Sequence, residues 1–338
     1  MRVGLVTTTI HVPRILELLR RYDPDVRFFI AGDEKMPEDA VNFCTYDLPN
    51  TKFLFIKDQQ KWKCSEIIGW NCIQRRNIAL LEALEWGAEV VVYWDDDNLP
   101  IKANYFRQFQ YALASKFDGL QISSRNHWFN QYGVACKHRG FPIEVPSSAP
   151  TFSHVLDVKV GVAAGICLGN PDIDAYARMA NPITLDIVGE MAKEGYAIHP
   201  NTHVVFNSQN TAFLRQFAPA MFMAPGIGRA DDIFASLLVQ RIMKDCGYQV
   251  HIGPPFTYQE RNPHDLLTDL KNELFCMENI LEVSEFIDRM NDHVLADAPI
   301  AERVLTMCRY YYGGCAALPQ QTREAGLAFM EDVEGVMK

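Results

Sequence analysis

The sequence predicts an α/β fold, in which a mostly parallel β-sheet is covered by helices on both faces and followed by a helical C-terminal extension. Three observations predict it. Strand-like and helix-like segments alternate through the first third of the 338 residues, acidic residues follow the ends of strand segments, and the residues from about Leu274 onward have amphipathic helical periodicity. We therefore predict a sheet domain at residues 1–273 and a helical extension at residues 274–338.

The first third contains four strand segments and two helix segments. Apolar, β-branched runs predict strands at residues 3–9, 26–34, 51–58 and 90–94, and helical periodicity predicts helices at residues 12–22 and 67–86. Gly87 follows the second helix as its C-cap. Ligands of such sheets bind beyond the carboxyl ends of the strands, and Thr8, Asp33 and the run from Asp95 to Asp97 lie at such ends.

The rest of the predicted sheet domain is less regular. Residues 123–150 are rich in glycine, proline, serine and aromatic residues, which predicts long ordered loops near a site. A further strand is predicted at residues 202–208. Residues 226–247 predict a glycine-bearing loop that leads into a helix ended by Gly247.

Composition limits the class of protein. The chain is 48% hydrophobic and 22% charged, and its net charge of −10 with a pI near 5.4 disfavours a sequence-independent grip on nucleic acid. There is no signal-peptide pattern and no apolar run long enough to span a bilayer, so we expect a soluble, cytoplasmic protein without a membrane span. The nine cysteines form no CxxC pair, which predicts reduced thiols rather than a cysteine zinc site.

Three consecutive carboxylates, Asp95, Asp96 and Asp97, follow the strand segment VVVYW. Ionised neighbours repel one another, and a divalent cation compensates for that repulsion. If the strand continues through them, alternation places Asp95 and Asp97 on one side and Asp96 on the other. Carboxylate oxygens suit Mn²⁺ or Mg²⁺ held together with substrate phosphates, so Asp95 and Asp97 are the predicted metal ligands.

The acids could also serve an NTPase site or a solvated turn. An NTPase places an acid after an apolar strand, but it also requires a GxxxxGK[ST] phosphate loop, which the sequence lacks. A turn of solvated acids that ends in Asp-Asn-Leu-Pro accounts for the run equally well. The acids alone therefore leave the metal site and the turn as open alternatives.

The helix before the acids begins near three polar residues. On a helical wheel Asn77 lies within the apolar stripe, Arg76 flanks it and Arg75 points toward solvent. A buried asparagine needs partners, which can be backbone groups or a ligand. The succession of Arg-Asn, helix, glycine, apolar strand and Asp-x-Asp resembles the nucleotide-sugar half of GT-A glycosyltransferases. The resemblance implies a GT-A-like sheet domain and a set of nucleotide-binding residues, namely Thr8, Asp33, Arg76, Asn77, Asp95 and Asp96.

Four later segments resemble one family more closely. They are HRGFPI (138–143), LGNPDIDA (168–175), GIGRADDIFASLLVQRIMKDCGYQV (226–250) and RNPHDLLTDLKNE (261–273). In this order they resemble the reversibly glycosylated polypeptides, the UDP-arabinopyranose mutase family, and the likeness extends in patches from about residue 3 to residue 273. It implies that Arg139 matches an arginine that is reversibly glycosylated and needed for activity, and that Arg229, Asp231 and Asp232 match the family's GRYDD residues.

The chemistry of these residues agrees with those roles but also allows simpler ones. Arg229, in a loop before a helix, can face a phosphate or a sugar. Asp231 and Asp232 can bind sugar hydroxyls or act as a base, or they can cap the helix. For Arg139, the alternative is an ordinary salt bridge within a loop.

The sequence departs from the family around the acids. The family has a histidine, a candidate third metal ligand, where this chain has Thr257, Tyr258 and Gln259, so that His251, His264 or water would have to complete the metal shell. Asn98 replaces a cysteine after the acids, and Trp94 precedes them. These differences leave the identity of the sugar open.

We therefore expect a Mn²⁺- or Mg²⁺-dependent enzyme that cleaves the C1–O bond of a UDP-sugar. The resemblance favours a mutase with reversible self-glycosylation. The alternatives are a glycosyltransferase with an external acceptor and a non-catalytic subunit that binds a sugar nucleotide. The apolar residues Tyr310, Tyr311 and Tyr312 are compatible with a homo-oligomer.

Overall fold

A computed structural model of the chain describes residues 1–114, 116–133, 136–186, 193–260, 265–291 and 297–337. In this part of the chain, helices flank a ten-stranded sheet and three helices follow it, which confirms the α/β class. The sheet is mixed: its first four strands are parallel, as predicted, whereas parallel and antiparallel pairs occur together among the others.

The strands lie in two sheets. The strands of the large sheet are β1 Val3–Thr8, β2 Arg27–Ala31, β3 Thr51–Leu54, β4 Val90–Trp94, β5 Asn98–Pro100, β6 Phe117–Ser124, β8 Pro150–Gly169, β9 Tyr196–Ile198, β11 Asn210–Leu214 and β12 Tyr248–Gln259. The small sheet pairs β7 Trp128–Phe129 with β10 His203–Val204 in parallel.

The α-helices lie between the strands and after the last of them. They are α1 Ile15–Tyr22, α2 Glu38–Asn42, α3 Ile56–Gln59, α4 Cys64–Ile68, α5 Arg76–Trp86, α6 Tyr105–Ala114, α7 Ala175–Ala180, α8 Asp231–Asp245, α9 Leu266–Arg289, α10 Ile300–Gly314 and α11 Gln320–Met337. The predicted domain boundary between residues 273 and 274 falls inside α9 rather than between two elements.

The strand order in the large sheet is β3-β2-β1-β4-β11-β8-β6-β9-β12-β5. The strands β3, β2, β1 and β4 are parallel, whereas β11 runs antiparallel to both of its neighbours, β4 and β8. Parallel neighbours need a crossover connection, which the alternating strands and helices of the first third provide. The sequence did not predict the antiparallel direction of β11, because strand periodicity does not encode strand direction.

Two predicted elements differ in detail. The predicted helix at residues 67–86 is divided into α4, a 3₁₀ turn at Ile73–Arg75 and α5, because the chain leaves helical conformation at Gly69 (φ 80°) and Asn71 (φ 60°). Gly87 ends α5 in the left-handed conformation (φ 88°), as predicted. The predicted strand at residues 202–208 shrinks to the two residues of β10, while the 20-residue strand β8 was not predicted.

The core explains the composition of β4, which is buried on both faces. Val90, Val92 and Trp94 belong to one hydrophobic cluster, and Val91 and Tyr93 belong to the other, as strand alternation requires. The second cluster continues into the C-terminal helices. The extension therefore shares its core with the sheet.

The C-terminal helices also support the segment before α5. The Asp332 carboxylate of α11 accepts hydrogen bonds from the backbone N–H groups of Lys63 (3.0 Å) and Cys64 (2.9 Å) at the start of α4. No disulfide joins the nine cysteines, all of which lie in described parts of the chain, in agreement with the prediction of reduced thiols. Within the described ranges, no helix is both long enough and apolar enough to cross a membrane.

Candidate functional site

The three acids after β4 form a partly buried turn. The strand ends at Trp94, and the Asn98 N–H donates to the Asp95 carbonyl at 3.2 Å. Each carboxylate has its own partner: Asp95 pairs with Arg76, Asp96 accepts from the Thr9 hydroxyl, and Asp97 accepts from Gln259 Nε2 at 3.0 Å. The turn interpretation is thus correct for the backbone, but the acids are not simply solvated.

Three cavities meet at this acid turn. We call them the Asp33 cavity (about 300 Å³), the Arg229 cavity (about 210 Å³) and the Tyr258 cavity (about 450 Å³). Asp97 lines all three, Asp95 lines the first two, and Asp96 lines the first and the third. Asp95 and Asp97 therefore share the Arg229 cavity without Asp96, as predicted, although a turn rather than strand alternation produces this arrangement.

The Asp33 cavity lies at the carboxyl ends of β1 and β2. Thr8, Asp33, Arg76 and all three acids line it, as expected from their positions after the strands. The Asp33 carboxylate accepts hydrogen bonds from the backbone N–H groups of Asn71 (2.7 Å) and Cys72 (3.0 Å), and the Thr8 hydroxyl donates to the Ala31 carbonyl at 2.7 Å. Asp33 thereby fixes the loop that forms one wall of the cavity.

Arg75 stabilises the same loop from behind. Its side chain is fully buried and donates to Gln59, to Ser65 and to the Gly69 carbonyl. The prediction that Arg75 points toward solvent is wrong. The prediction applied α-helical periodicity to Arg75, but this residue lies in the 3₁₀ turn before α5, where that periodicity does not hold.

Arg76 and Asn77 have different roles. Arg76 is buried against the acid turn, pairs with Asp95 and donates to the Ser208 carbonyl and hydroxyl at 3.1 Å each. Burial alone would lower the pKa of Arg76, but Asp95 raises it. Asn77 instead bonds the backbone of Met223, donating to its carbonyl (2.6 Å) and accepting from its N–H (2.9 Å). It lines none of the three cavities, so its placement is structural rather than nucleotide-binding.

The oxygen atoms at the acid turn fit a hard divalent cation. Asp97 Oδ1 and Gln259 Oε1 are buried, and neither has a hydrogen-bond partner among the described residues. Burial, followed by the neighbouring Asp95, raises the pKa of Asp97 to about 6, and burial also raises the pKa of Asp95 despite Arg76. A cation would remove both penalties. Oxygen ligands of this kind suit Mg²⁺ or Mn²⁺.

The protein supplies few further ligands. The described part of the chain contains no group of three His, Cys, Asp or Glu side chains that could hold a metal. His251 lines a separate cavity with Tyr111 and Lys116, and burial lowers its pKa to about 4. His264 lies outside the described residues. Thr257 donates to the buried Cys167 thiol at 3.2 Å, whereas Gln259, whose Oε1 has no partner among the described residues, lines the Arg229 cavity together with Asp95 and Asp97.

Arg139 lies at the centre of a buried ion-pair network. It donates to both Asp172 oxygens at 2.9 Å, to both Asp232 oxygens at 3.1 Å and to the Arg229 carbonyl. Burial alone would lower the pKa of Arg139, but Asp172 and Asp232 raise it well above its usual value. Burial would raise the pKa of Asp172, yet Arg139 holds it well below its usual range. These contacts agree with the simpler alternative for Arg139, which is a salt bridge within a loop.

The two aspartates at the start of α8 do not cap it. The helix has Ala230 at its N-cap and therefore no side-chain cap, and Asp232 in its first turn accepts from Arg139 and from the Ser208 N–H (3.1 Å). Asp231 accepts from Gln74 Nε2 at 2.7 Å. Burial, followed by the adjacent Asp232, raises the pKa of Asp231 to about 7. Burial and the neighbouring carboxylate therefore favour the protonated form of Asp231.

Arg229 lines its cavity and is held from α9. Its side chain lies 3.3 Å from Asp269 and 3.0 Å from Glu273, the second contact being an ion pair without hydrogen-bond geometry. Glu273 also accepts from the Ala175 N–H at 2.7 Å. Gly228 (φ 59°) permits this approach, because a Cβ there would lie 2.1 Å from the Asn272 carbonyl oxygen.

The sequence did not identify several residues that complete the site. They are Gln74, Asp172, Ser208, Gln259, Asp269 and Glu273. Asp172 lies in the segment LGNPDIDA, and Asp269 and Glu273 lie in the segment RNPHDLLTDLKNE, so these three belong to segments that carry the family resemblance. Gln259 is among the residues that stand where the family has a third-ligand candidate. Gln74 and Ser208 had no local signal, since each is a single polar residue whose partner is distant in the sequence.

Comparison with known proteins does not assign the chain to a family. No protein-family model matches the sequence, and no curated protein matches it. The function must therefore be inferred from the geometry of the site.

Proposed function

We propose that this protein is an enzyme that binds a UDP-sugar together with Mn²⁺ or Mg²⁺ and cleaves the bond between C1 of the sugar and the diphosphate. The observation that carries the proposal is the acid turn, at which three cavities meet and where Asp97 has an unpaired, buried oxygen. Its position after β4, at the end of four parallel strands, supports a GT-A-like arrangement.

The Asp33 cavity and the Arg229 cavity each bind one part of the UDP-sugar. The Asp33 cavity has carboxylate and hydroxyl groups on the strand ends, which suit the hydrogen-bonding edges of a nucleoside. The Arg229 cavity contains Arg229, Asp231 and Asp232, which suit the sugar and its hydroxyl groups. The diphosphate between them then lies at the acid turn, beside Arg76.

Cleavage requires stabilisation of the negative charge on the departing diphosphate. A cation bound by Asp95 and Asp97 would neutralise part of that charge. Arg229 supplies a fixed positive charge from the other side of the turn. Asp231, buried in the Arg229 cavity with a pKa of about 7, can accept a proton from the group that attacks C1.

Arg139 has a positioning role in this proposal. A nucleophilic guanidinium would have to lose its proton, but Asp172 and Asp232 stabilise the charged form. Its ion pairs with both carboxylates would also have to break before it could reach C1. These contacts favour a reaction in which the sugar does not become attached to Arg139.

A non-catalytic sugar-nucleotide binder is the second candidate. It is favoured by the observation that Arg76, Asp95, Arg139 and Asp232 already have charged protein partners. The lack of a three-ligand metal group in the described residues points the same way.

A UDP-release assay distinguishes these two candidates. Wild-type protein is incubated with a panel of UDP-sugars and Mn²⁺ for detection of free UDP, and with Mg²⁺ for ³¹P and ¹H NMR of isomerised sugar nucleotide. We expect turnover that Asp97→Asn lowers on the order of a hundredfold, as for loss of one strong electrostatic contact to a transition state. The matched control is Asp157→Asn, at an exposed ion pair with Lys116. Donor binding with no turnover in the wild type would instead identify a binder.

A further inference from the structure

We propose that the Tyr258 cavity binds the second substrate of this enzyme, a neutral saccharide whose hydroxyl group receives the transferred sugar. The inference rests on the proposed function, because it adds an acceptor to the same cleavage of the C1–O bond. The cavity, of about 450 Å³, shares Asp97 with both donor cavities. A ligand within it therefore lies next to the acids at which the donor is cleaved.

The walls of the Tyr258 cavity are partly apolar. Val12, Pro13, Leu99 and Tyr258 line it, and Leu99 leaves 48% of its surface exposed. Small-molecule sites combine apolar and aromatic walls with a few polar groups that fix the orientation of the ligand. The C–H faces of a sugar ring can pack against such walls.

The polar groups of the cavity favour a ligand with many O–H donors. Asp96, Asp97 and Glu260 line it, and ionised carboxylates accept hydrogen bonds but do not donate them. Their charge repels phosphates and carboxylates. Among the described residues, the other titratable side chains in this lining are His11 and Tyr258. The chemistry therefore suits a neutral polyhydroxyl compound rather than a second anionic substrate.

Asn98 provides an independent sign of a ligand. It lines the cavity and is fully buried, and its Nδ2 donates to the Gln209 carbonyl at 3.4 Å. Its Oδ1 is buried and has no hydrogen-bond partner in the described part of the chain. An unpaired buried acceptor is costly, and a ligand hydroxyl would satisfy it.

The transfer step moves the sugar from the diphosphate to the acceptor hydroxyl. The bond between C1 and the diphosphate oxygen breaks, and its electron pair leaves on the diphosphate. A bond forms between C1 and the acceptor oxygen. The proton of that hydroxyl passes to Asp231, the base proposed above, which lines the Arg229 cavity that shares Asp97 with the Tyr258 cavity.

Saturation-transfer NMR tests the cavity directly. The full-length protein is mixed with maltose, lactose, cellobiose, xylose and arabinose, with UDP and the diamagnetic cation Mg²⁺ present. We expect at least one saccharide to bind. Leu99→Ala should weaken that binding on the order of fivefold through lost apolar contact. Glu260→Gln should weaken it on the order of tenfold through loss of a charge-assisted hydrogen bond.

Two variants of similar exposure serve as controls. Leu156→Ala changes a leucine that is 68% exposed on β8, and Glu285→Gln changes an exposed glutamate of α9. Neither should alter saccharide binding. Saccharide signals that are absent, or that Leu99→Ala and Glu260→Gln leave unchanged, would overturn the proposal. Binding of spermidine in place of every saccharide would also overturn it, because the acids would then form a site for cations.

UDP binding to the same samples separates this inference from the proposed function. Neither Leu99 nor Glu260 lines the Asp33 cavity, so both variants should bind UDP as the wild type does. If the wild type binds no UDP, the proposed function fails. The response of saccharide binding to the two variants still decides whether the Tyr258 cavity is occupied.

Discussion

Replacing Asp172 with asparagine should destabilise the protein, because it removes the main counter-charge of a buried arginine. The Arg139 side chain is only 6% exposed and donates to the two Asp172 oxygens at 2.9 Å. Removing one partner of a buried ion pair costs about 3 to 5 kcal/mol. Asp232 still faces the guanidinium at 3.1 Å, so we expect a loss near the lower limit, about 3 kcal/mol.

This loss corresponds to a measurable change in melting temperature. Unfolding entropy of about 2.1 cal/mol/K per residue gives roughly 0.7 kcal/mol/K for a chain of this length, so that Tm should fall by about 4 °C. Differential scanning calorimetry at pH 7 measures the change. The control Asp157→Asn breaks a 3.0 Å ion pair at the surface and should lower Tm by less than about 1 °C.

The same pair predicts how the difference depends on pH. The folded-state pKa of Asp172 lies below its unfolded value, so its contribution to stability is present above the unfolded pKa, about 3.9, and is lost as the pH falls through the folded value. The difference in Tm between the wild type and Asp172→Asn should therefore be constant near neutral pH and shrink in acid. A Tm change below about 1 °C at pH 7, or one equal to that of Asp157→Asn, would refute the buried-pair argument.

Three further predictions concern the site. The raised pKa of Asp231 means that the folded state binds an extra proton between about pH 4 and 7, so the free energy of unfolding, measured by urea denaturation, should fall as the pH rises through this range. Asp231→Asn should remove that slope, and it should also lower turnover because it removes the proposed base. Glu273→Gln should raise the KM for the donor several-fold, because it removes an ion pair that holds Arg229. The control Glu278→Gln, at an exposed residue, should leave the KM unchanged. A change in kcat alone would contradict the role of Glu273 in positioning Arg229. Intact-mass spectrometry after incubation with UDP-sugars should show no sugar adduct, and an adduct mapped to Arg139 would contradict its assignment as a positioning residue.

The part of the fold that sequence patterns predicted is the part built from local periodicity. Strands β1, β2 and β4 and helix α5 repeat an apolar pattern over enough residues to identify them, and Gly87 marks where α5 ends. The long strand β8 was missed because its first half is exposed and its second half reads as an apolar run without a helix or strand period. The antiparallel direction of β11 cannot be predicted from its own residues, because a strand has the same residue pattern in either direction.

The site residues that could be predicted are those that a strand end or a helix start places in the site. Asp33, Arg76 and the acids were identified because they follow strand ends or begin a helix, and they line one cavity. Arg75 was misplaced, since it lies in the 3₁₀ turn before α5, whereas Asn77 is buried as the helical stripe predicts and bonds to backbone. Asp172 and Glu273 acquire their roles only when segments that are distant in the sequence meet, at Arg139 and Arg229 respectively.

The meeting of three cavities at one turn has a consequence for how substrate choice can evolve or be engineered. Asp97 is common to the three cavities, but each cavity also has residues of its own: Asn71 and Cys72 in the first, Ser208 and Arg229 in the second, and Leu99 and Glu260 in the third. Substitutions at residues that line a single cavity can change the binding of one ligand and leave the shared Asp97 in place. Donor and acceptor preferences are therefore separable by design, whereas any change at Asp97 alters every ligand at once.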